Sequence, residues 1–159
     1  MNAYDVLFEH HHVLRGLCKQ ITAIPPTSDE RQDYLDALLV ELDIHMRIED
    51  DLFYPAVQAA SKLVAIAHAE HRQVFDQLAV VLRTPPDSPG YQDEWHAFVT
   101  VLDAHAREEE RDLCPPPVEM NEADLNVLGD KMRERIDELR ESTIQTLHVK
   151  GRAAMLSAL

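Results

Sequence analysis

Apolar residues recur along this chain at positions three and four apart, in long segments separated by proline-containing stretches. A spacing of i, i+3, i+4 and i+7 is typical of an amphipathic α-helix, whereas a half-buried strand would alternate apolar and polar residues. No segment shows sustained alternation. The pattern predicts four long helices and a weaker fifth one, at residues 3–23, 30–54, 59–83, 91–113 and 122–141.

The ends of these helices carry recognisable signals. Residues 27–29 offer N-caps for helix two, and Asn121 offers one for helix five. Pro55 ends or kinks helix two, because the residue before a proline avoids the helical region. The consecutive prolines at 115–117 end helix four. The tail at 142–159 has no pattern that indicates its role.

Four helices of about 20 to 25 residues with short connections favour an up-down-up-down four-helix bundle. We therefore expect an all-α protein. Residues 1–117 would form the bundle, and residues 118–159 would form a C-terminal helical extension packed on the same domain.

Charge and composition narrow the class of protein. The chain has 159 residues, the size of one domain, and a net charge of −14, which argues against nucleic acid and anionic membranes as partners. No apolar run approaches the roughly 18 residues of a membrane span, and no signal peptide is evident. The two cysteines, Cys18 and Cys114, form no disulfide framework, which fits the cytoplasm. We expect Cys18 in the core and Cys114 at the surface.

Several of the nine histidines fall on the apolar face of their helices, where a polar side chain is not expected. At 100° per residue they lie within the apolar stripes, together with two glutamates, whereas His12 points away. The six residues concerned are His10, His45, Glu49, His71, His105 and Glu109. Carboxylates in a bundle core need a compensating cation, and imidazole plus carboxylate without thiolate suits iron, manganese or zinc.

A single buried histidine is more often a satisfied core residue, and repetition is what favours a metal site here. His45 and Glu49 are followed by an acidic residue and then Pro55; His105 and Glu109 are followed by an acidic residue and then Pro115. The Glu-His pair before His45 likewise has a counterpart before His105, at spacings of 35 and 34 residues. The chain therefore consists of two copies of one helical hairpin, each supplying a histidine and then a histidine and a glutamate.

With these motifs the sequence resembles the hemerythrin-like family of HHE cation-binding domains, over about residues 3–117. The overall length and the fifth helix look closest to the actinobacterial, mycobacterial-type members. Ferritin-type diiron proteins need two Glu-x-x-His motifs, and only Glu9-x-x-His12 fits that spacing here.

The resemblance implies a centre of two irons, with manganese or zinc as alternatives. His10, His45, His71 and His105 would be nitrogen ligands, and Glu49 and Glu109 would bridge the metals. His11 is near enough to replace His10 as the ligand. Glu70 would orient a ligating imidazole without binding metal itself.

One departure from the family pattern bears on function. Oxygen-carrying hemerythrins hold a fifth histidine where this chain has Ala67. His68, on the same side of the helix, is the candidate to substitute for it. Tyr54 is another possible oxygen donor, although a straight helix would turn it away and only a distortion at Pro55 would bring it in.

A missing ligand opens a position at the metal, which favours chemistry over reversible oxygen carriage. The sequence therefore predicts catalase-like decomposition of hydrogen peroxide. The alternatives are a carrier or sensor of O2 or NO and an iron-handling protein without turnover. The expected partner in each case is a small molecule.

Overall fold

The protein is all-α, as the sequence predicts, and there is no strand in the part of the chain that the structure describes. The computed structural model describes residues 1–57, 61–114 and 120–158. The elements are α1 (Ala3–Ala23), α2 (Asp29–Ile48), a π-helical turn (Glu49–Phe53), α3 (Tyr54–Ala56), α4 (Ser61–Arg83), α5 (Tyr91–Asp112), α6 (Glu122–Glu141) and α7 (Thr143–Ala158).

The predicted helices agree closely with the observed ones. The first and fifth have the predicted bounds, and the fourth ends one residue earlier, at Asp112. The second is regular only as far as Ile48, where the π-helical turn begins. The predicted start of helix three at 59, the prolines at 115–117 and the proposed domain boundary at 117 lie outside the described residues.

Side-chain caps explain where α1 and α6 begin. The Asn2 side chain accepts a hydrogen bond from the Asp5 backbone N–H at 3.1 Å, and the Asn2 N–H donates to the Asp5 carboxylate at 3.0 Å. This reciprocal arrangement satisfies two backbone donors at the helix start. Asn121 caps α6 in a similar way, accepting from the Asp124 N–H at 2.9 Å, as predicted.

Two apolar clusters fill the bundle, one at each side of a polar middle. The first cluster lies toward the α1–α2 and α4–α5 loops, and its most deeply buried members include Leu14, Ile21, Leu38, Val74, Trp95 and Phe98. The second lies at the opposite end and includes Ala3, Leu7, Ile48, Phe53, Met132 and Ile136. Buried histidines and glutamates of the four long helices lie at the level between these clusters, where hydrophobic packing shields them from water on both sides.

Both C-terminal helices pack on the bundle. α6 buries Leu128, Met132, Ile136 and Leu139 in the second cluster, against α1 and α2. α7 packs against α4 and α2. Its Gln145 donates a hydrogen bond to Asp43, and the guanidinium of Arg152 lies 3.9 Å from the centre of the Phe75 ring. The tail at 142–159, whose role the sequence does not reveal, therefore contains a helix that packs on α4 and α2.

The cysteines differ from expectation in one respect. Cys18 is buried in the core, as predicted. Cys114 is also buried, rather than exposed, because it joins the second apolar cluster after the end of α5. None of the helices in the described part of the chain combines the length and the hydropathy of a membrane span.

Candidate metal centre

Four helices each direct polar side chains into the level between the two apolar clusters. His11 comes from α1, His45 from α2, His71 from α4, and His105 and Glu109 from α5. Glu49 begins the π-helical turn. All six residues are buried, and His45 and Glu49 have no exposed surface at all.

These side chains form two groups that share Glu49. In one group His11, His45, Glu49 and Glu109 each offer a ligand atom within 4.8 Å of the others; in the second, Glu49, His71 and His105 do so. Among the described residues, these are the fully buried groups that could hold a metal ion. Two neighbouring groups with a common carboxylate have the composition of a bridged two-metal site.

The two carboxylate oxygens of Glu49 face different groups. Its Oε1 lies 2.8 Å from His45 Nε2 and 4.0 Å from His11 Nε2. Its Oε2 lies 2.9 Å from His71 Nε2 and 3.6 Å from His105 Nε2. One carboxylate therefore stands between imidazoles of both hairpins, as a bridging ligand must.

Several atoms at this centre are buried without a hydrogen-bond partner among the described residues. They are His45 Nε2, Glu49 Oε1, His105 Nε2 and Glu109 Oε1. Although His45 Nε2 and Glu49 Oε1 are only 2.8 Å apart, their orientation does not make a hydrogen bond. Buried polar atoms are rarely left unpaired, since each costs about 1–3 kcal/mol. Lone pairs that converge without a donor fit a metal cation, so the donor set fits the group that the sequence predicts.

The electrostatics of the centre indicate the same need for positive charge. Burial opposes ionisation of Glu49, but the imidazoles of His45, His105 and His71 outweigh it and hold the pKa of Glu49 well below its usual range. Burial and the neighbouring Glu49 charge raise the pKa of Glu109 to about 7. Two carboxylates this close are not both accommodated as anions without a cation between them.

The histidines respond to these carboxylates in different ways. Burial opposes protonation of His71 and His105, yet hydrogen bonds to Asp50 and Glu49 raise the pKa of His71 to about 9. The nearby carboxylate of Glu49 and a hydrogen bond to Glu70 raise that of His105 to about 10. Burial lowers the pKa of His45 to about 3, despite its contact with Glu49. The raised pKa values of His71 and His105 reflect the negative charge that the carboxylates bring to the centre.

Three of the inward-facing imidazoles are paired on their outer nitrogen with a carboxylate. His105 Nδ1 lies 2.8 Å from Glu70, His11 Nδ1 lies 2.8 Å from Glu110, and His71 Nδ1 lies 3.5 Å from Asp50. A carboxylate only accepts, so Nδ1 carries the proton and Nε2 faces the centre with a lone pair when the imidazole is neutral. Carboxylate partners of this kind orient metal-ligating histidines.

His10, which the sequence predicts as a ligand, lies in neither of the two groups. Its Nε2 lies 2.8 Å from Glu41 and its Nδ1 lies 3.2 Å from His45 Nδ1, so neither nitrogen is free to ligate a metal. His11 lies in the first group in its place. The inward-facing histidine of α1 is therefore one residue later than predicted, because His11 turns toward Glu109 and His10 toward α2.

Tyr54 lies inside the site, and the reason is the π-helical turn. The five-residue step from Glu49 would turn Tyr54 about 140° away in a regular α-helix. In the π-helical turn the Tyr54 N–H donates to the carbonyl of Glu49, five residues back, which returns the side chain to the same face. The hydroxyl donates to Glu49 Oε2 at 3.3 Å and lies 3.1 Å from His71 Nε2. The distortion comes just before Pro55, which lacks the N–H that a regular helix requires.

His68 lies at the edge of the centre rather than within it. Its Nδ1 is 3.2 Å from Asp50, and both side chains are 44% exposed. Ala67 is buried and lines a cavity of about 220 Å³ between α4 and α5, together with Leu63, Ile66 and Glu109. The position of the missing histidine is therefore partly empty space that reaches a carboxylate of the centre.

Sequence reasoning identified Glu70 as an orienting carboxylate, and it bonds His105. It missed the same role for Asp50 and Glu110, although both directly follow a glutamate of the repeat. It also gave His10 precedence over His11. The signal that distinguishes them is the spacing: 34 residues separate His11 from His45, as they separate His71 from His105.

A helical bundle with a buried centre of histidines and glutamates from four helices defines a class of cation-binding proteins. The family model described as "Hemerythrin HHE cation binding domain" matches residues 2–116. The chain belongs to this family.

The chain is similar to several mycobacterial proteins. The chain is 55% identical to the uncharacterized proteins Rv2633c of Mycobacterium tuberculosis and Mb2666c of Mycobacterium bovis, over the whole of both chains. It is also similar to a crystal structure of a hemerythrin HHE cation-binding domain-containing protein, the Rv2633c homolog of Mycobacterium kansasii. The identity is 56% and the TM-score 0.91, and the match covers 100% of this chain and 99% of that one.

Proposed function

We propose that this protein holds two iron ions and decomposes hydrogen peroxide. His11, His45, Glu49 and Glu109 would hold one ion, and Glu49, His71 and His105 the other. The Tyr54 hydroxyl would lie beside the second group. The observation that carries the metal centre is the set of buried, unpaired nitrogen and oxygen atoms that converge from both hairpins. Manganese or zinc would suit the same donors.

The bound metals would supply the redox chemistry, by which one hydrogen peroxide is reduced to two molecules of water and a second is oxidised to O2. The residues of the chain have other tasks. The apolar side chains of Leu63, Ile66 and Ala67 form one wall of the cavity beside Glu109. A small uncharged substrate fits such a cavity better than an anion does, because the carboxylates of Glu70, Glu108 and Asp112 on its lining outnumber the one guanidinium, that of Arg111.

Tyr54 supports acid–base chemistry beside Glu49 and His71. Burial and the nearby carboxylates of Glu49 and Glu109 raise the pKa of Tyr54, so its hydroxyl keeps its proton at neutral pH. That hydroxyl lies within hydrogen-bond distance of Glu49 and His71. A positioned proton donor and an accessible cavity favour turnover over storage.

Reversible binding of O2 or NO is the second candidate, and the depth of the site favours it. His45, Glu49 and His105 are at most 1% exposed, and such shielding from water protects a bound gas. The two candidates differ in one product: only peroxide decomposition releases O2 continuously.

An oxygen electrode tests the proposal directly. Hydrogen peroxide is added to protein of measured iron content, in the wild type and in a matched pair of variants. His11→Ala removes a proposed ligand, whereas His12→Ala changes the adjacent, exposed histidine. We expect His11→Ala to lose most of its iron and its O2 release, and His12→Ala to retain both.

Sustained O2 release in proportion to iron content would support the enzyme. Iron-loaded wild-type protein that releases no O2 would overturn peroxide decomposition and leave gas binding, which O2 or NO difference spectra would then measure. Equal iron content in both variants would overturn the ligand assignment of His11.

A further inference from the structure

In each half of the bundle, one residue at an equivalent sequence position contacts the outer nitrogen of an inward-facing histidine. The chemical type of that residue differs between the halves. In the second half, Glu70 directly precedes His71 and bonds His105 Nδ1, 35 residues further along the chain. In the first half, His10 directly precedes His11 and contacts His45 Nδ1, also 35 residues along. His10 therefore stands where the repeat has a carboxylate.

In the first half the carboxylate is that of Glu41, and it contacts His10 instead of contacting His45 directly. His10 Nε2 lies 2.8 Å from Glu41 Oε2. Both oxygens of Glu41 in turn accept hydrogen bonds from Arg140 of α6, from Nε at 2.9 Å and from a terminal nitrogen at 2.9 Å. Burial opposes ionisation of Glu41, but His10 and Arg140 outweigh it and lower its pKa to about 2. This series of contacts joins helix α6 to the buried centre.

Hydrogen-bonding capacity and the internal repeat together indicate the direction of each contact in the series. Arginine only donates and an ionised carboxylate only accepts, so His10 Nε2 must donate to Glu41. In the second half Glu70 accepts from His105 Nδ1, and by this equivalence His10 Nδ1 accepts from His45 Nδ1 at 3.2 Å. His45 is left with a lone pair on Nε2, directed at the centre, where that atom has no hydrogen-bond partner among the described residues.

We propose that Arg140, Glu41 and His10 act as a positioning relay, which fixes the orientation and the tautomer of His45 and lets helix α6 set the metal affinity of the first group. The proposal rests on the proposed metal centre and not on the peroxide reaction. His10, at 2% exposed, is sealed inside the bundle, whereas Arg140 is 41% exposed, so the relay runs from the surface to the centre.

The relay makes the two metal positions unequal. His105 is supported by a carboxylate within its own hairpin, whereas His45 depends on a contact from a helix that begins outside the two repeats. Loss of Arg140 therefore weakens the first group and leaves the second unchanged.

The test uses the full chain, first without metal and then titrated with Co²⁺. Arg140→Met removes the relay's outer donor, and Arg135→Met is the matched control, because Arg135 lies on the same helix and pairs only with exposed Glu138 in the described part of the chain. A long-range ¹H–¹⁵N spectrum reports which nitrogen of His45 carries the proton.

In the wild type and in Arg135→Met we expect one His45 tautomer, with the proton on Nδ1, and two bound Co²⁺ ions. Arg140→Met should give a mixture of tautomers and about three- to tenfold weaker binding of one Co²⁺, with larger losses, about 10–100-fold, for His10→Gln. Circular dichroism confirms that the variants keep their helices.

A rescue variant separates positioning from simple packing. The double variant His10→Glu with Glu41→Gln puts a carboxylate where the other half has Glu70, and removes the neighbouring charge. We expect it to recover the Nδ1–H tautomer of His45 and Co²⁺ affinity within about threefold of the wild type, unlike His10→Gln.

The relay is overturned if Arg140→Met and His10→Gln bind Co²⁺ as the wild type does and keep a single His45 tautomer. It is also overturned if the double variant binds no better than His10→Gln. A wild-type chain that binds no Co²⁺ would overturn the metal centre and the relay together. Absence of peroxide turnover alone would affect only the proposed reaction.

Discussion

Neighbouring residues in this protein have different roles because one helical step turns a side chain by about 100°. His11 reaches Glu109 at 3.1 Å, whereas His10 faces Glu41 and His12 is exposed. Ala67 shows the same sensitivity to position. It is buried one turn before His71 and borders the cavity at Glu109, while Ala65 is exposed.

Ala67→His tests whether this cavity serves the reaction. The new imidazole would fill the space beside Glu109 and offer the ligand that oxygen carriers possess, so we expect peroxide turnover to fall at least about tenfold. Some loss of stability, about 1–3 kcal/mol, follows from overpacking. O2 release and iron content are measured together.

Ala65→His is the control for this change and should retain turnover, since its side chain faces solvent. Unchanged O2 release by Ala67→His at full iron content would show that the cavity is not the route or the site of peroxide binding.

At the scale of elements, contacts between helices decide what each helix contributes. The π-helical turn returns Tyr54 to the centre. α6 approaches the start of α1 so closely that a Cβ on Gly129 would lie 2.6 Å from the backbone of Asn2 and of Met1. Glycine at this position is therefore required by helix packing, although glycine disfavours a helix interior.

Gly129→Ala should lower the free energy of unfolding by about 1–3 kcal/mol, because the methyl group forces α6 away from backbone atoms that cannot move aside. Gly16→Ala is the matched change: Gly16 is exposed within α1, and a Cβ there meets no atom within 4 Å. It should raise stability by up to about 1 kcal/mol. Urea unfolding of both variants measures the difference, and destabilisation of equal size in both would contradict the packing argument.

At the scale of the whole molecule, the centre joins both hairpins and is linked through His10 to α6. Its ligand atoms come from α1, α2, α4, α5 and the π-helical turn, between two apolar clusters. In a chain of net charge −14, a cation at this point offsets carboxylates that burial and mutual repulsion disfavour. Metal binding and stability should therefore be coupled.

We expect metal to raise the free energy of unfolding by about 2.7 kcal/mol at a free concentration one hundred times its Kd. The measurement is thermal or urea unfolding with iron(II), without oxygen, and with a chelator. Glu49→Gln should abolish the increase, because both groups lose their shared carboxylate. An equal increase in Glu49→Gln would mean that the metal binds elsewhere.

The sequence alone predicts the helices closely, because the 3.6-residue repeat is a local property that every turn of helix obeys. It also predicts the His45–Glu49 and His105–Glu109 pairs, since residues four apart lie on one face of a single helix. The tandem repeat then indicates that the two pairs face each other. The catalytic assignment stays a prediction from the missing histidine at Ala67.

The tertiary structure alone decided which histidine of α1 faces the centre. His10 and His11 both lie on the broad buried arc of the helix, and only the rotation of α1 against α2 and α5 separates them. The same holds for Glu41 and Arg140, which meet across 99 residues of sequence. Helical periodicity is carried by each segment by itself, whereas pairing across helices depends on how the segments pack, and no local pattern encodes that.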